Sequence, residues 1–361
     1  MHWESKFETR SRRDIEEPYA KFENKGLRPE TLSLTRNTFR RVNLSWERVT
    51  HVVAHAFSNV GAFRLLRNAS RMETCVFKNL DNTLAKLYED YSKGPFTVHS
   101  KLRYLKYQSF TSSGYGNVLT LFDFPSLDRL DYTGLEPAHS VALEHSFRRC
   151  TPPLKELRLK HSEVDTYCHL INLLQALPTI ERLYLQWASG CGYDNNESAF
   201  KGTPQTSEKH TTGDWCRCAR VNHADLVHVR DGADDSQQQQ RFLPRLQSLE
   251  YVDDDWSQGV PWHFIQCCLR NGASGTPGAR PLKEVILRKH GVRIIREGVV
   301  HPVIPKDVLF EMMALRRAGA SIKCTNLHYG EIDWFKASLE FHGLLSAGVV
   351  REEGVSDLKV D

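Results

Sequence analysis

LKELRL, from Leu154 to Leu159, and IERLYL, from Ile180 to Leu185, set the pattern that decides how this chain folds. Each has a large apolar residue at its first, fourth and sixth positions, with polar or variable residues between. The same pattern appears as METCVF from Met72, LRYLKY from Leu102, LDRLDY from Leu127, LQSLEY from Leu246 and LKEVIL from Leu282, with a weaker copy, VTHVVA, from Val49. The copies from Met72 to Ile180 begin 30, 25, 27 and 26 residues apart. A nearly constant period of this length marks a chain built from stacked repeats.

Side chains on a strand alternate between faces, so the fourth and sixth positions of each copy share one face. Leu105 with Tyr107, Leu157 with Leu159, and Leu183 with Leu185 therefore form the apolar side. The segments between copies change to helical spacing. SNVGAFRLLRNAS aligns Val60, Phe63 and Leu66, and SVALEHSFRRC aligns Leu143, Phe147 and Cys150. TYCHLINLLQALP aligns Tyr167, Leu170, Ile171 and Leu174, and VPWHFIQCCLRNG aligns Val260, Phe264, Cys267 and Cys268. PKDVLFEMMALRRAG carries Val308, Leu309, Met312 and Met313 between Pro305 and Gly319, which suit a helix start and stop.

Strand, turn, helix and turn at this period predict an α/β leucine-rich-repeat solenoid, with parallel strands on a concave face and helices on a convex one. One unit cannot bury its own apolar face. Stacking does so at about 1.5–3 kcal/mol per fully buried large side chain. The Asn usual at the ninth repeat position is absent, replaced by Leu80, Phe110, Leu135 and Ser162. The horseshoe is therefore expected to be irregular.

The stretches Ser45–Phe77, Phe122–Leu185, Phe242–Gly272 and Pro281–His290 resemble the repeat region of fungal, basidiomycete-type F-box proteins with leucine-rich repeats. That resemblance implies a substrate receptor in which repeats hold a target for ubiquitin transfer while an F-box docks on a Skp-type adaptor. The nearest approach to an F-box opening is LRPETL at Leu27–Leu32, and the repeat pattern is running by Ser45. A first strand at Leu32–Leu34 is expected there instead. The F-box is not evident, and adaptor binding has no sequence support.

Five regions follow: a charged tail over 1–26, repeats over 27–188, a low-complexity insertion over 189–240, repeats over 241–325, and a cap and tail over 326–361. The insertion is rich in Gly, Ser, Asp and Gln and is expected to be a loop with an ordered patch near Trp215–Val229. It holds Cys191, His210, Cys216, Cys218, His223 and His228. Their spacing lacks the paired geometry of a zinc site, so no metal or other cofactor is expected. The acidic run Asp253–Asp255 is read as a solvated loop, Gly114 and Gly116 as a turn, and Asn326–Leu345 as holding one capping helix.

Composition narrows the function. Hydrophobic residues make up 40% of the chain and charged residues 25%, enough for a core. Net charge is only +4, which disfavours a dedicated nucleic-acid binder. There is no secretory leader and no membrane-spanning run, and nine unpatterned cysteines suit reduced thiols. A soluble cytoplasmic or nuclear chain is expected. Nucleotide-binding, zinc-protease and serine-hydrolase motifs are missing, so no enzymatic activity is expected.

The polar strand face remains as the binding candidate. Its rows bring together Tyr104, Lys106, Arg129, Asp131, Glu156, Arg158, Lys160, Arg182 and Tyr184. Arg and Tyr are enriched at interface hot spots. A protein partner is expected on this face, with loss of that partner and retention of the fold on Arg158→Glu. The rival readings are a nucleic-acid binder using the same rows and a zinc module in the insertion.

Overall fold

The recurring six-residue segments lie side by side as parallel strands. A computed structural model describes residues 30–35, 46–80, 97–109, 118–134, 137–160, 167–187, 243–253, 262–269, 282–289, 294–295, 298–299, 303–326 and 332–344. The chain divides into two units, Met1–Leu246 and Gln247–Asp361. Each is mixed α/β with a parallel sheet.

In the first unit the strands are β1 (Thr31–Thr35), β2 (His51–His55), β3 (Thr74–Leu80), β4 (Thr97–Val98), β5 (Tyr104–Ser109), β6 (Phe122–Asp123), β7 (Arg129–Thr133), β8 (Glu156–Lys160) and β9 (Arg182–Trp187). The sheet follows chain order, β1-β2-β3-β5-β7-β8-β9, while β4 and β6 pair apart from it. β1 confirms the strand expected at Leu32–Leu34. Register sets Leu105, Leu130, Leu157 and Leu183 in one row and Tyr107, Tyr132, Leu159 and Leu185 in the next. All eight are at most 2% exposed, so the alternation seen in the sequence is the burial pattern of the sheet.

Aromatic residues reinforce that apolar face. Tyr107 stacks on Tyr132 with centroids 5.0 Å apart and meets Phe77 edge-on at 6.3 Å. The Tyr107 hydroxyl donates to Asn59 Oδ1 (3.2 Å) at the start of the Asn59–Asn68 helix, which places that helix over the apolar face. Ser58 caps the helix by accepting from the Gly61 amide. The buried residues there are Asn59, Gly61, Ala62, Phe63, Leu65 and Leu66, with Val60 only half-buried. The Pro137–Cys150 helix packs on the Tyr167–Gln175 helix. Leu143 and Phe147 are buried as expected, whereas Cys150 and Ile171 stay half-buried.

One backbone device recurs at the start of successive strands. The Thr50 carbonyl accepts from both Glu73 and Thr74, Glu73 from Arg103 and Tyr104, and Arg103 from Asp128 and Arg129. Asp128 then accepts from Lys155 and Glu156, and Lys155 from Glu181 and Arg182. Each carbonyl before a strand thus holds two amides at the start of the next strand of the sheet, which satisfies backbone groups that the turns would otherwise leave bare.

The second unit contains β10 (Ser248–Asp253), β11 (Glu284–Lys289), β12 (Ile294–Ile295), β13 (Gly298–Val299), β14 (Ser321–Asn326) and β15 (Ile332–Asp333). β10, β11 and β14 are parallel, β15 runs antiparallel to β14, and β12 pairs antiparallel with β13. Helices span Trp262–Leu269, Lys306–Arg317 and Trp334–Phe341. The last is the helix expected after Asn326, capped by Asp333 Oδ1 on the Lys336 amide at 3.0 Å.

One expectation fails here. Asp253 is not in a solvated loop: it ends β10 at 2% exposure, 3.3 Å from Lys289 Nζ. β14 is a strand of the ladder that the repeat pattern does not announce. Register with β11 aligns Ile322 with Val285, which puts Gly319 where the other copies carry their first large apolar residue. That glycine has φ +92°, so the position follows the Lys306–Arg317 helix in a left-handed turn.

Candidate functional site

On the polar face of the first unit, β5, β7, β8 and β9 present a checkerboard of charge. One row runs Tyr104, Arg129, Glu156, Arg182, and the next runs Lys106, Asp131, Arg158, Tyr184. A third carries Gln108, Thr133, Lys160 and Gln186. All nine residues expected at the site therefore share one surface. Within the first two rows, each acid has cations on both sides. The i, i+2 spacing of Arg129 with Asp131 and of Glu156 with Arg158 repeats the alternation along each strand.

Glu156 is the centre of this network. It is 5% exposed, yet it sits on the polar face. Arg158 Nε donates to its Oε1 at 2.7 Å, Arg182 donates to its Oε2 from Nη2 at 2.8 Å and Nε at 3.2 Å, and Arg129 Nε lies 3.5 Å from Oε1. Burial alone would raise the Glu156 pKa. The hydrogen bond from Arg158, the charge of Arg129 and the hydrogen bond from Arg182 outweigh it and hold the carboxyl below its ordinary value.

Asp131, 7% exposed, has the matching role on the neighbouring strand. It accepts from Arg129 Nε and Nη2, both at 3.3 Å, and from the Tyr104 hydroxyl at 3.0 Å. Burial, then the adjacent Asp131 charge and its hydrogen bond, push the Tyr104 phenol up to about 12. Burial opposes the Arg129 charge, but the bonds and fields of Asp131 and Glu156 raise its pKa overall. Rings back the cations: Arg129 lies 4.8 Å from the Tyr104 centroid, and Lys160 and Arg158 lie 5.2 Å and 5.7 Å from that of Tyr184.

Strand alternation places these side chains on the right face but treats them all as surface groups. Structure divides them into two buried acids and a set of cations arranged around them. The signal is present in the alternating signs of the aligned rows. What the rows do not reveal is that arginines on neighbouring strands close over a carboxylate between them. Arg158→Glu would therefore set a third carboxylate between Asp131 and Glu156, which makes it a test of folding as much as of binding.

Among the described residues no group of His, Cys, Asp and Glu could hold a metal ion, and no helix is long and apolar enough to cross a membrane. Cys191, His210, Cys216, Cys218, His223, His228, the Trp215–Val229 patch, Gly114 and Gly116 lie outside the described residues. Cys75, Cys150, Cys268 and Cys324 are thiols outside any disulfide. Burial pushes the Cys75 thiol up, so it acts as a core side chain. The chain matches no family model, no curated protein and no solved structure.

Proposed function

We propose that the first unit is an arm of an irregular leucine-rich-repeat solenoid that binds a protein on its polar strand face. The observation that carries this reading is the ordered network of Arg129, Arg158 and Arg182 around Glu156 and Asp131. Its side chains are held in place before any partner arrives, which lowers the ordering cost of association. By its likeness to the F-box repeat region, the chain serves as the target-recognition element of a ubiquitin-ligase substrate receptor. No cofactor and no enzymatic step enter this proposal.

Lys106 and Lys160 offer the cleanest test, since neither forms an ion pair with a described residue. The Lys106→Gln/Lys160→Gln variant, which removes charge without setting a carboxylate opposite Asp131, should keep the wild-type circular dichroism spectrum and unfolding midpoint. In quantitative affinity capture it should lose a defined protein that the wild type retains. Retention of every captured protein by the folded variant would remove this face from the function.

A further inference from the structure

Resting on the protein-binding reading, the geometry points to one kind of occupant: an extended acidic segment with an aliphatic residue, followed or preceded at three-residue spacing by two acidic residues. Charge gives the first argument. Within the described rows Lys106, Arg129, Arg158, Lys160 and Arg182 are set against Asp131 and Glu156 alone, so these rows keep a positive surplus after internal pairing. Donors give the second. Arg158 uses Nε on Glu156, while its Nη1 and Nη2 donate to no described residue. Arg129 and Arg182 likewise bond through Nε and Nη2 and leave Nη1 unused. The three side chains remain 38–60% exposed. A planar guanidinium with open N–H groups takes a carboxylate well.

Spacing then defines the segment. Register continues the second row leftward through Val76 on β3 and Val53 on β2, both half-buried on the polar face. Val53, Lys106 and Arg158 therefore fall on every second strand of β2, β3, β5, β7 and β8. Neighbouring strands lie about 4.7–4.9 Å apart, so this repeat is about 9.6 Å. A polyproline-II segment advances about 3.1 Å per residue with three residues per turn, and so returns a side chain to the same side every ~9.3 Å. Aliphatic-x-x-acid-x-x-acid, laid across the strands in either chain direction, brings its three side chains to Val53, Lys106 and Arg158. Asp131 and Glu156 act as positioning residues for the arginines.

The probes are labelled peptides of equal composition: Leu-x-x-Glu-x-x-Glu, its reverse, and a control with the same two glutamates adjacent. Fluorescence anisotropy with the full chain should show one of the spaced peptides binding at least fivefold tighter than the control. Lys106→Gln should remove that preference, and Val53→Ser should weaken the spaced peptide while sparing the control. Equal binding of all three peptides, or displacement of them all by a single-stranded oligonucleotide at lower concentration, would overturn the inference. If the peptides fail while Lys106→Gln/Lys160→Gln still loses its captured protein, the face binds protein by another chemistry. If both fail, the functional reading falls with the inference.

Discussion

Glu156 and Asp253 are both buried carboxylates on strands, and the fold treats them differently. Glu156 lies on the polar face and is covered by arginines that are themselves 38–60% exposed, so its partners stay in water and retain unused donors. Asp253 shares the apolar face with Leu249 and Tyr251, and the Asp253 and Lys289 side chains are only 3% and 8% exposed. Ion pairs removed from water gain little net stability, but breaking one strands a charge. The first arrangement organises a surface, whereas the second locks two strands of a core.

Five perturbations sharpen this contrast. Lys289→Met leaves Asp253 buried opposite an apolar group and should cost about 3–5 kcal/mol in urea unfolding. Adding Asp253→Leu should recover most of that loss, since an apolar pair replaces an ionic one. Glu156→Gln should cost less, about 1–3 kcal/mol, because the exposed arginines can rehydrate. Equal losses at the two sites would erase the distinction.

Acid should separate wild type from Glu156→Gln in a defined direction. The Glu156 pKa is depressed in the folded state relative to an ordinary value of 4.5, so its stabilisation is fully present above that value. It is lost as pH falls through the folded pKa, because the unfolded chain takes up the proton first. The stability gap between the two proteins should be constant near neutrality and should shrink below pH 4.5, as read from urea midpoints across pH. The smallest effect belongs to Tyr104→Phe. It removes one hydrogen bond to Asp131, should cost about 0.5–1.5 kcal/mol, and should abolish a tyrosine ionisation near 12 in ultraviolet titration.

Alternation makes most of this fold legible without coordinates. Leu105, Leu130, Leu157 and Leu183 align because each sits at the fourth position of its copy, and strand order follows chain order. Membership of the polar face is equally readable. Burial on that face is not, because Glu156 is covered by Arg129 and Arg182 from adjacent strands, which local periodicity does not describe. Asp253 misleads for a related reason: its charge is matched by Lys289, 36 positions along the chain. β14 escapes notice because Gly319 ends a helix at the position where a leucine would have announced the strand.

The doubly accepting carbonyls of Thr50, Glu73, Arg103, Asp128 and Lys155 fix where each strand begins relative to the last. Growth of the chain by insertion is thereby channelled toward the stretch between a strand's far end and the next fixed start. A designer wishing to graft a loop, a tag or a second binding element should place it after residues such as Thr133 or Lys160. The same graft two residues before a strand would break a pair of backbone hydrogen bonds and shift every later rung out of step.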